Sequence, residues 1–398
     1  MTTKVPVLVS AAERSGDEHA AKLVREVLKR RPDIEFHGFG GEMLAAAGCH
    51  IHMDLVGLSS IAFRFLGHIH RYVEVVRTFD RLLREIRPVA VVLVDSPGLN
   101  FVFARLARWR GVPVAYYICP QIWAWGPWRR RKVLKYTDLL LTILPFEERF
   151  YENSRVPVKF VGHPLADDLE DFSPQAGARL RERLGCAADD KVIGILPGSR
   201  AHEVEELMPI FRRVIERMDL RGASCRVMVS CFKPEFEPTI RNALDGLGLP
   251  FDIVAEDSRA LACASDFLLV ASGTASLQAA YFEKPMVVLY RATFSGYLFL
   301  HYIVVPPFFS LPNILGGSLF DGEPIVPERL CRGGEEDELA RVSTDLLHDG
   351  PVRQKTLERL RKVREAYLQP GANARAAAAL VDFIDTVEAA QPTAPSAS

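Results

Sequence analysis

Val192-Ile193-Gly194-Ile195-Leu196-Pro197-Gly198-Ser199-Arg200 is the stretch on which the fold turns. The apolar run to Leu196 has no polar alternation and ends in turn residues, which predicts a strand buried on both faces of a parallel sheet. Pro197, Gly198 and Ser199 then make a tight turn. From Glu203 onward Val204, Leu207, Met208, Phe211, Val214, Ile215 and Met218 recur at helical spacing, predicting a helix with one buried face. A strand, a Gly-Ser turn and a helix start present free backbone N–H groups at the positive end of a helix dipole. Arg200 adds a fork-shaped cation that suits phosphate oxygens. The segment is a candidate diphosphate cradle; the alternative is an ordinary strand–helix turn whose arginine points into water.

The same rhythm runs outward in both directions. Strands are predicted at 192–196, 226–231, 251–254, 267–270 and 286–290, with helices opening near 203, 235, 258 and 274. Segments 336–348 and 351–367 read as surface helices and 372–389 as a final alanine-rich helix. In the first half the strands are 5–9, 34–38, 89–94, 112–118 and 139–144, again alternating with helical patterns. That alternation implies α/β architecture, with two doubly wound parallel sheets covered on both faces. Gly162-His163-Pro164 closes the first half and 167–176 is a turn-rich hinge, so domains are expected over 1–168 and 177–368. Residues 390–398 read as a disordered tail on composition.

A chain of 398 residues suits two such domains better than one core. The formal charge of −1 leaves no global field to attract nucleic acid, so any anion site is local. Seven scattered cysteines with no C-x-x-C pair argue against a disulfide framework and a zinc site, and for a reducing cytosol. Met1 precedes a predicted strand almost directly, leaving no room for a cleaved signal sequence, and no apolar run is long enough to span a bilayer.

In doubly wound domains ligands bind beyond the carboxyl ends of the strands. Asp95 ends an apolar strand, where a carboxylate can take a proton from a substrate hydroxyl; equally, Asp before Ser-Pro suits a helix N-cap. Ala271-Ser272-Gly273-Thr274-Ala275-Ser276-Leu277-Gln278 repeats the small-residue turn opening a helix, with Gln278 one turn further on. The two turns together look like a site for a nucleotide's diphosphate and ribose; the alternative is two well-capped helices with nothing bound. Gly38-x-Gly40-Gly41 lacks the dinucleotide spacing and reads as a tight turn only.

Phe63, Phe65, Leu66, Ile69, Tyr72 and Val73, interleaved with arginines and histidines, form an amphipathic stretch that rests in a membrane interface or faces the core. Trp123, Trp125 and Trp128, ahead of Arg129, Arg130, Arg131, Lys132 and Lys135, form a second basic-aromatic patch or a solvated helix face. There is no D-x-D, H-E-x-x-H, G-x-S-x-G or Walker pattern, so no metal is expected.

Taken together, these stretches resemble the lipid-A-disaccharide synthases, inverting glycosyltransferases of the GT-B architecture. The resemblance runs from about Val5 to Ala389. It is carried, in shared order and spacing, by A-A-E-R-S-G-D (11–17), G-F-G-G-E-M-L-A-A-A-G (38–48), V-D-S-P-G-L-N (94–100), P-Q-I-W-A-W (120–125), L-P-F-E (144–147), G-H-P-L-A-D (162–167), L-P-G-S-R-x-x-E-V (196–204), A-S-G-T-A-S-L-Q (271–278) and S-L-P-N-I-L (310–315). Arg14, Ser60, Arg64, Gly98 and Gln278 stand where the family usually has other residues.

The resemblance implies two Rossmann-like domains facing each other across a cleft, with the helix near 372–389 packing back on the first. It implies transfer of 2,3-diacylglucosamine from its UDP donor to 2,3-diacylglucosamine 1-phosphate, giving a β-1,6-linked disaccharide and UDP, with no cofactor. Asp95 would be the general base. Gly198, Ser199, Arg200, Ser272, Gly273, Thr274, Gln278 and Asn313 would form the donor side, and Glu13, Ser15, Gly16 and Asp17 the acceptor side. The family's peripheral attachment to the cytoplasmic face of the inner membrane favours the lipid reading of Phe63–Val73; a homodimer stays open. The alternatives are a same-fold UDP-sugar enzyme with another acceptor, a 2-epimerase, or a non-catalytic nucleotide-sugar or lipid-binding descendant.

Overall fold

A computed structural model describes residues 4–390 apart from 58–68, 171, 174, 256, 292–307, 318, 321 and 332. Ser60, Phe63, Arg64, Phe65 and Leu66, the side chains of Ile69 and Trp125, and the tail read over 390–398 apart from Ala390, which ends the last helix, therefore lie outside the described residues. The chain divides into two compact units, Met1–Pro164 with Pro370–Ser398, and Leu165–Gln369.

The first unit is built on seven strands: β1 Val5–Ala11, β2 Ile34–Gly40, β3 His50–Asp54, β4 Ala90–Val94, β5 Val114–Tyr117, β6 Leu139–Thr142 and β7 Val158–Phe160. They are ordered β3-β2-β1-β4-β5-β6-β7, and every pairing is parallel. β4 is buried at all five positions, as an unbroken Ala-Val-Val-Leu-Val run between two helical layers should be. One of those layers contains the helices Ile69–Glu85 and Pro97–Trp109. Phe79 and Phe103 stack there with ring centroids 3.8 Å apart, against Phe39 of β2.

On the other side, the final helix Ala372–Ala390 packs on the helix Arg14–Arg30. Arg375 ties it down by donating to the carbonyls of Val161 and Pro370, both at 2.8 Å. Arg31 adds ion pairs to Asp385 and Glu388.

The second unit has six parallel strands: β8 Lys191–Leu196, β9 Cys225–Ser230, β10 Phe251–Val254, β11 Phe267–Ala271, β12 Met286–Arg291 and β13 Glu328–Cys331. Their order is β10-β9-β8-β11-β12-β13. The helix Ala201–Arg217 buries Val204, Leu207, Met208, Ile210, Phe211, Val214 and Ile215 against this sheet, the face its spacing predicts. Among the described residues no helix is long and apolar enough to cross a membrane, and all seven cysteines are free.

Three strands escaped the sequence reading: β3, β7 and β13. Each lies at the edge of its sheet and carries polar residues, whereas the strands recognised from sequence are mostly apolar runs inside the sheets.

Candidate active site

In the second unit, β8 and β11 are neighbours and the strand order reverses between them. The turns at Leu196–Arg200 and Ala271–Thr274 therefore leave the sheet at its switch point, where doubly wound sheets bind ligands. Both line one cavity of about 730 Å³, together with Ser230, Phe232, Asp257 and Ser258. Gly198, Ser199, Arg200, Ser272, Gly273, Thr274 and Gln278 all meet there.

Asn313 does not line this cavity. Its side chain is buried, donating to Val326 O and Glu328 Oε2 at 2.9 Å each and accepting from the N–H groups of Ile325 (2.7 Å) and Val326 (3.0 Å). It pins the approach to β13, and Glu328 in turn holds the residues leading into the helix Leu311–Gly316 by accepting from the N–H groups of Phe309 and Ser310.

The expectation of free N–H groups after Gly198 needs correction. Glu203 Oε2 accepts from Ser199 N at 3.0 Å and Arg200 N at 3.2 Å, so the chain's own carboxylate fills the turn. Gly198 is required: its φ is +108°, and a Cβ there would sit 2.3 Å from that oxygen. Arg200 occupies the N-cap position, 73% exposed in its side chain and 3.5 Å from Glu203 Oε1. What this turn offers a phosphate is the guanidinium. The second turn differs, because the cap position of the helix Thr274–Tyr281 is Gly273, and among the described residues no side chain caps that helix. That helix start is the open anion-type terminus of the pair.

In the first unit the switch point falls between β1 and β4. Asp95 follows β4 directly, and Gly16, in the first turn of the helix Arg14–Arg30 after β1, stands so close that a Cβ on it would lie 3.9 Å from Asp95 Cβ. The N-cap alternative for Asp95 fails: the cap position of the helix Pro97–Trp109 is Ser96, whose side chain makes no capping bond. Asp95 and Ser96 instead take consecutive left-handed conformations, φ 49° and 45°, each costing about 1–2 kcal/mol for a side-chain-bearing residue. Burial pushes the Asp95 carboxyl above the ordinary aspartate range; a bond from the Ser96 backbone and the His19 charge act against that.

Of the acceptor-side residues, Glu13 and Ser15 are exposed, while Asp17 is buried and engaged. Its carboxylate accepts from Gly41 N at 2.7 Å and Met43 N at 3.1 Å, capping the helix Glu42–Ala46 from a distant part of the chain. Gly40 and Gly41 are glycines because a Cβ on either would come within 2.9 Å of that carboxylate.

The loop after β5 is anchored by Glu147, a residue the sequence reading quoted within L-P-F-E without assigning it a task. Fully buried, Glu147 accepts from Trp123 Nε1 at 3.2 Å and Leu144 N at 3.0 Å, and burial pushes its carboxyl up to about 8. Trp123 is thus a core residue, while Trp128 is exposed. Tyr72 and Val73 are exposed too, although Val75, Phe79, Leu82 and Leu83 of the same helix are core.

Solved structures sharing this architecture place the chain in a class. MurG from Acinetobacter baumannii matches with a TM-score of 0.59 at 16% identity, covering 96% of this chain and 99% of its own. A putative UDP-N-acetylglucosamine 2-epimerase from Listeria monocytogenes matches at 0.62 and 13% identity, covering 98% of both chains. The fold is that of the GT-B glycosyltransferases. The family model for lipid-A-disaccharide synthetase matches residues 7–381. The lipid-A-disaccharide synthase of Myxococcus xanthus is 34% identical over 390 residues, covering 96% of this chain and 99% of its own length. That of Pseudomonas aeruginosa (strain UCBPP-PA14) is likewise 34% identical, with 97% and 100% covered. The chain belongs to the lipid-A-disaccharide synthase family, and so to the hexosyltransferases.

Proposed function

We propose that the cavity of the second unit holds UDP-2,3-diacylglucosamine and that Asp95 activates a 2,3-diacylglucosamine 1-phosphate acceptor. The acceptor's 6-oxygen attacks the anomeric carbon as the bond from that carbon to the UDP oxygen breaks. The hydroxyl proton passes to Asp95, and UDP leaves carrying the bonding pair. A single displacement of this kind inverts the anomeric centre and gives a β-1,6 linkage. The start of the helix Thr274–Tyr281 and the Arg200 guanidinium stabilise charge on the departing diphosphate, and Gln278 reaches the ribose hydroxyls. No metal takes part in this reading.

The observation that carries it is the convergence of two helix-opening turns on one cavity at a sheet's switch point. The raised affinity of Asp95 for a proton suits a group that must accept one near neutral pH. The exposed Tyr72 and Val73 favour contact with acyl chains at the cytoplasmic face of the inner membrane, with the protein attached peripherally.

The test is UDP release from the acylated donor and acceptor in detergent, with and without EDTA, for the wild type and Asp95→Asn. The expected result is EDTA-insensitive release by the wild type, and a variant that binds UDP normally but turns over at least 100-fold more slowly, the usual reach of a general base. Release abolished by EDTA would overturn the metal-free step. Full activity of Asp95→Asn would overturn the base. UDP binding without any release would favour a non-catalytic descendant.

A further inference from the structure

Asp95 and Ser96 keep a backbone conformation that neither would hold alone. Three buried polar side chains from three different elements converge on it. Asn100, one turn into the following helix, donates its Nδ2 to the carbonyl of Asp95 at 2.7 Å and to that of Val94 at 3.0 Å. Tyr116 of β5 donates its hydroxyl to the same Asp95 carbonyl at 2.6 Å. The two carbonyls fix which end of the amide is the donor, and Ser10 of β1 donates to the other end, Asn100 Oδ1, at 2.8 Å. All three residues are 0% exposed. The Asp95 N–H is also held, by Tyr117 O at 3.1 Å.

We propose that Ser10, Asn100 and Tyr116 are positioning residues for the transfer reaction, a polar clamp that holds the Asp95 backbone left-handed and so aims its carboxylate. The inference rests on the reading of Asp95 as the base. None of the three touches the Asp95 carboxylate; they act through its carbonyl. A buried polar network of this kind specifies one conformation because each member is satisfied only when all are in place. If the pair relaxed to ordinary φ values, the side chain of residue 95 would leave the switch point by an ångström or more, and such misplacement costs up to about 100-fold in rate. The same relaxation would let water reach the carboxyl and remove the burial that raises its pKa. The charged and titratable groups facing it are His19, from the helix Arg14–Arg30, and Tyr116 itself.

The experiment compares Tyr116→Phe, which removes one hydroxyl and keeps the ring, and Ser10→Ala with the wild type and Asp95→Asn. The readouts are kcat, KM for the donor, UDP affinity by calorimetry and the pH profile of kcat. The expected result is a kcat lower by about 10–100-fold, donor KM and UDP affinity within about twofold, and an acid limb of the profile displaced to lower pH. A merely structural role would lower the amount of folded first unit, counted by the amplitude of its thermal unfolding transition, and leave the acid limb in place. Unchanged kcat and acid limb in the folded variants overturn the clamp. If Tyr116→Phe does not fold, Ser10→Ala decides by the same criteria. Full activity of Asp95→Asn removes the base itself, whereas an inactive Asp95→Asn beside wild-type behaviour in the clamp variants removes only this inference.

Discussion

Replacing Glu147 by glutamine should change how stability depends on pH more than it changes stability itself. Glu147 is fully buried and burial lifts its carboxyl to about 8, against an unperturbed 4.5. Between those values the folded chain binds one proton that the unfolded chain has released. Unfolding therefore releases a proton there, and the free energy of unfolding falls with rising pH by about 1.4 kcal/mol per unit from this group alone. The contribution is complete below the unfolded pKa and is lost as pH rises through about 8. Over the two units from pH 5.5 to 7.5 the loss is roughly 2–3 kcal/mol, a large share of the roughly 5–15 kcal/mol typical of a domain. Glutamine keeps the shape, accepts from Trp123 Nε1 through its oxygen, and does not titrate. Its amide donor faces the Leu144 N–H, a cost that is the same at every pH. Urea unfolding followed by far-UV circular dichroism at half-unit pH steps measures both proteins. Every other titrating group is common to the two, so the difference isolates residue 147. A wild-type curve falling by about 1.4 kcal/mol per unit relative to Glu147→Gln is expected; parallel curves would mean that the carboxyl stays ionised in the fold, and the argument fails.

Glu203→Ala strips the N–H groups of Ser199 and Arg200 of their acceptor and should destabilise the second unit by about 1–2 kcal/mol, read in thermal melts; an unchanged melt would show that water replaces the carboxylate without loss. Arg200→Ala should weaken UDP by about 1.5 kcal/mol, the low end for a charged hydrogen bond because the guanidinium is largely exposed. Equal UDP affinity by calorimetry would return this arginine to the solvent. Asp17→Ala leaves the N–H groups of Gly41 and Met43 without their acceptor in a buried corner, at a cost of about 1–3 kcal/mol. Tyr72→Ser with Val73→Ser should reduce sedimentation with acidic liposomes while the melting temperature stays within about 2 °C, since exposed side chains contribute little to folding. A large fall in melting temperature at unchanged liposome binding would assign both to the core.

The architecture was legible because its central strands are written in one alphabet. Runs such as Ala90–Val94 and Phe267–Ala271 admit no polar residue, so their type and burial can be read directly. At the sheet edge His50-Ile51-His52-Met53-Asp54 faces water on one side, and the signal is lost. The site divides in the same way. Positions fixed by turn chemistry, such as Gly198, Gly273 and Asp95, could be placed on the right strand ends from local sequence. What their neighbours do could not. Glu203, third in its helix, is a local cue for a carboxylate that folds back into the turn, but nothing local reveals that Asn313 spends its hydrogen bonds on Ile325, Val326 and Glu328. Asn100 and Glu147 stood inside motifs already noticed; their partners, Ser10 and Trp123, come from elsewhere along the chain, and only folding joins them.

The return of the last helix to the first unit sets a timetable for synthesis. The helix Arg14–Arg30 is made before the whole of the second unit, yet the surface it presents is covered by Ala372–Ala390, made after it. Leu165–Gln369 is uninterrupted, so all of its own segments emerge before that covering helix does. At bacterial-like elongation rates of 5–20 residues per second, the first unit waits roughly 10–45 s for its final piece. During that interval the growing polypeptide displays the apolar side of an unfinished layer, and a stop codon ahead of Ala372 would leave it uncovered for good.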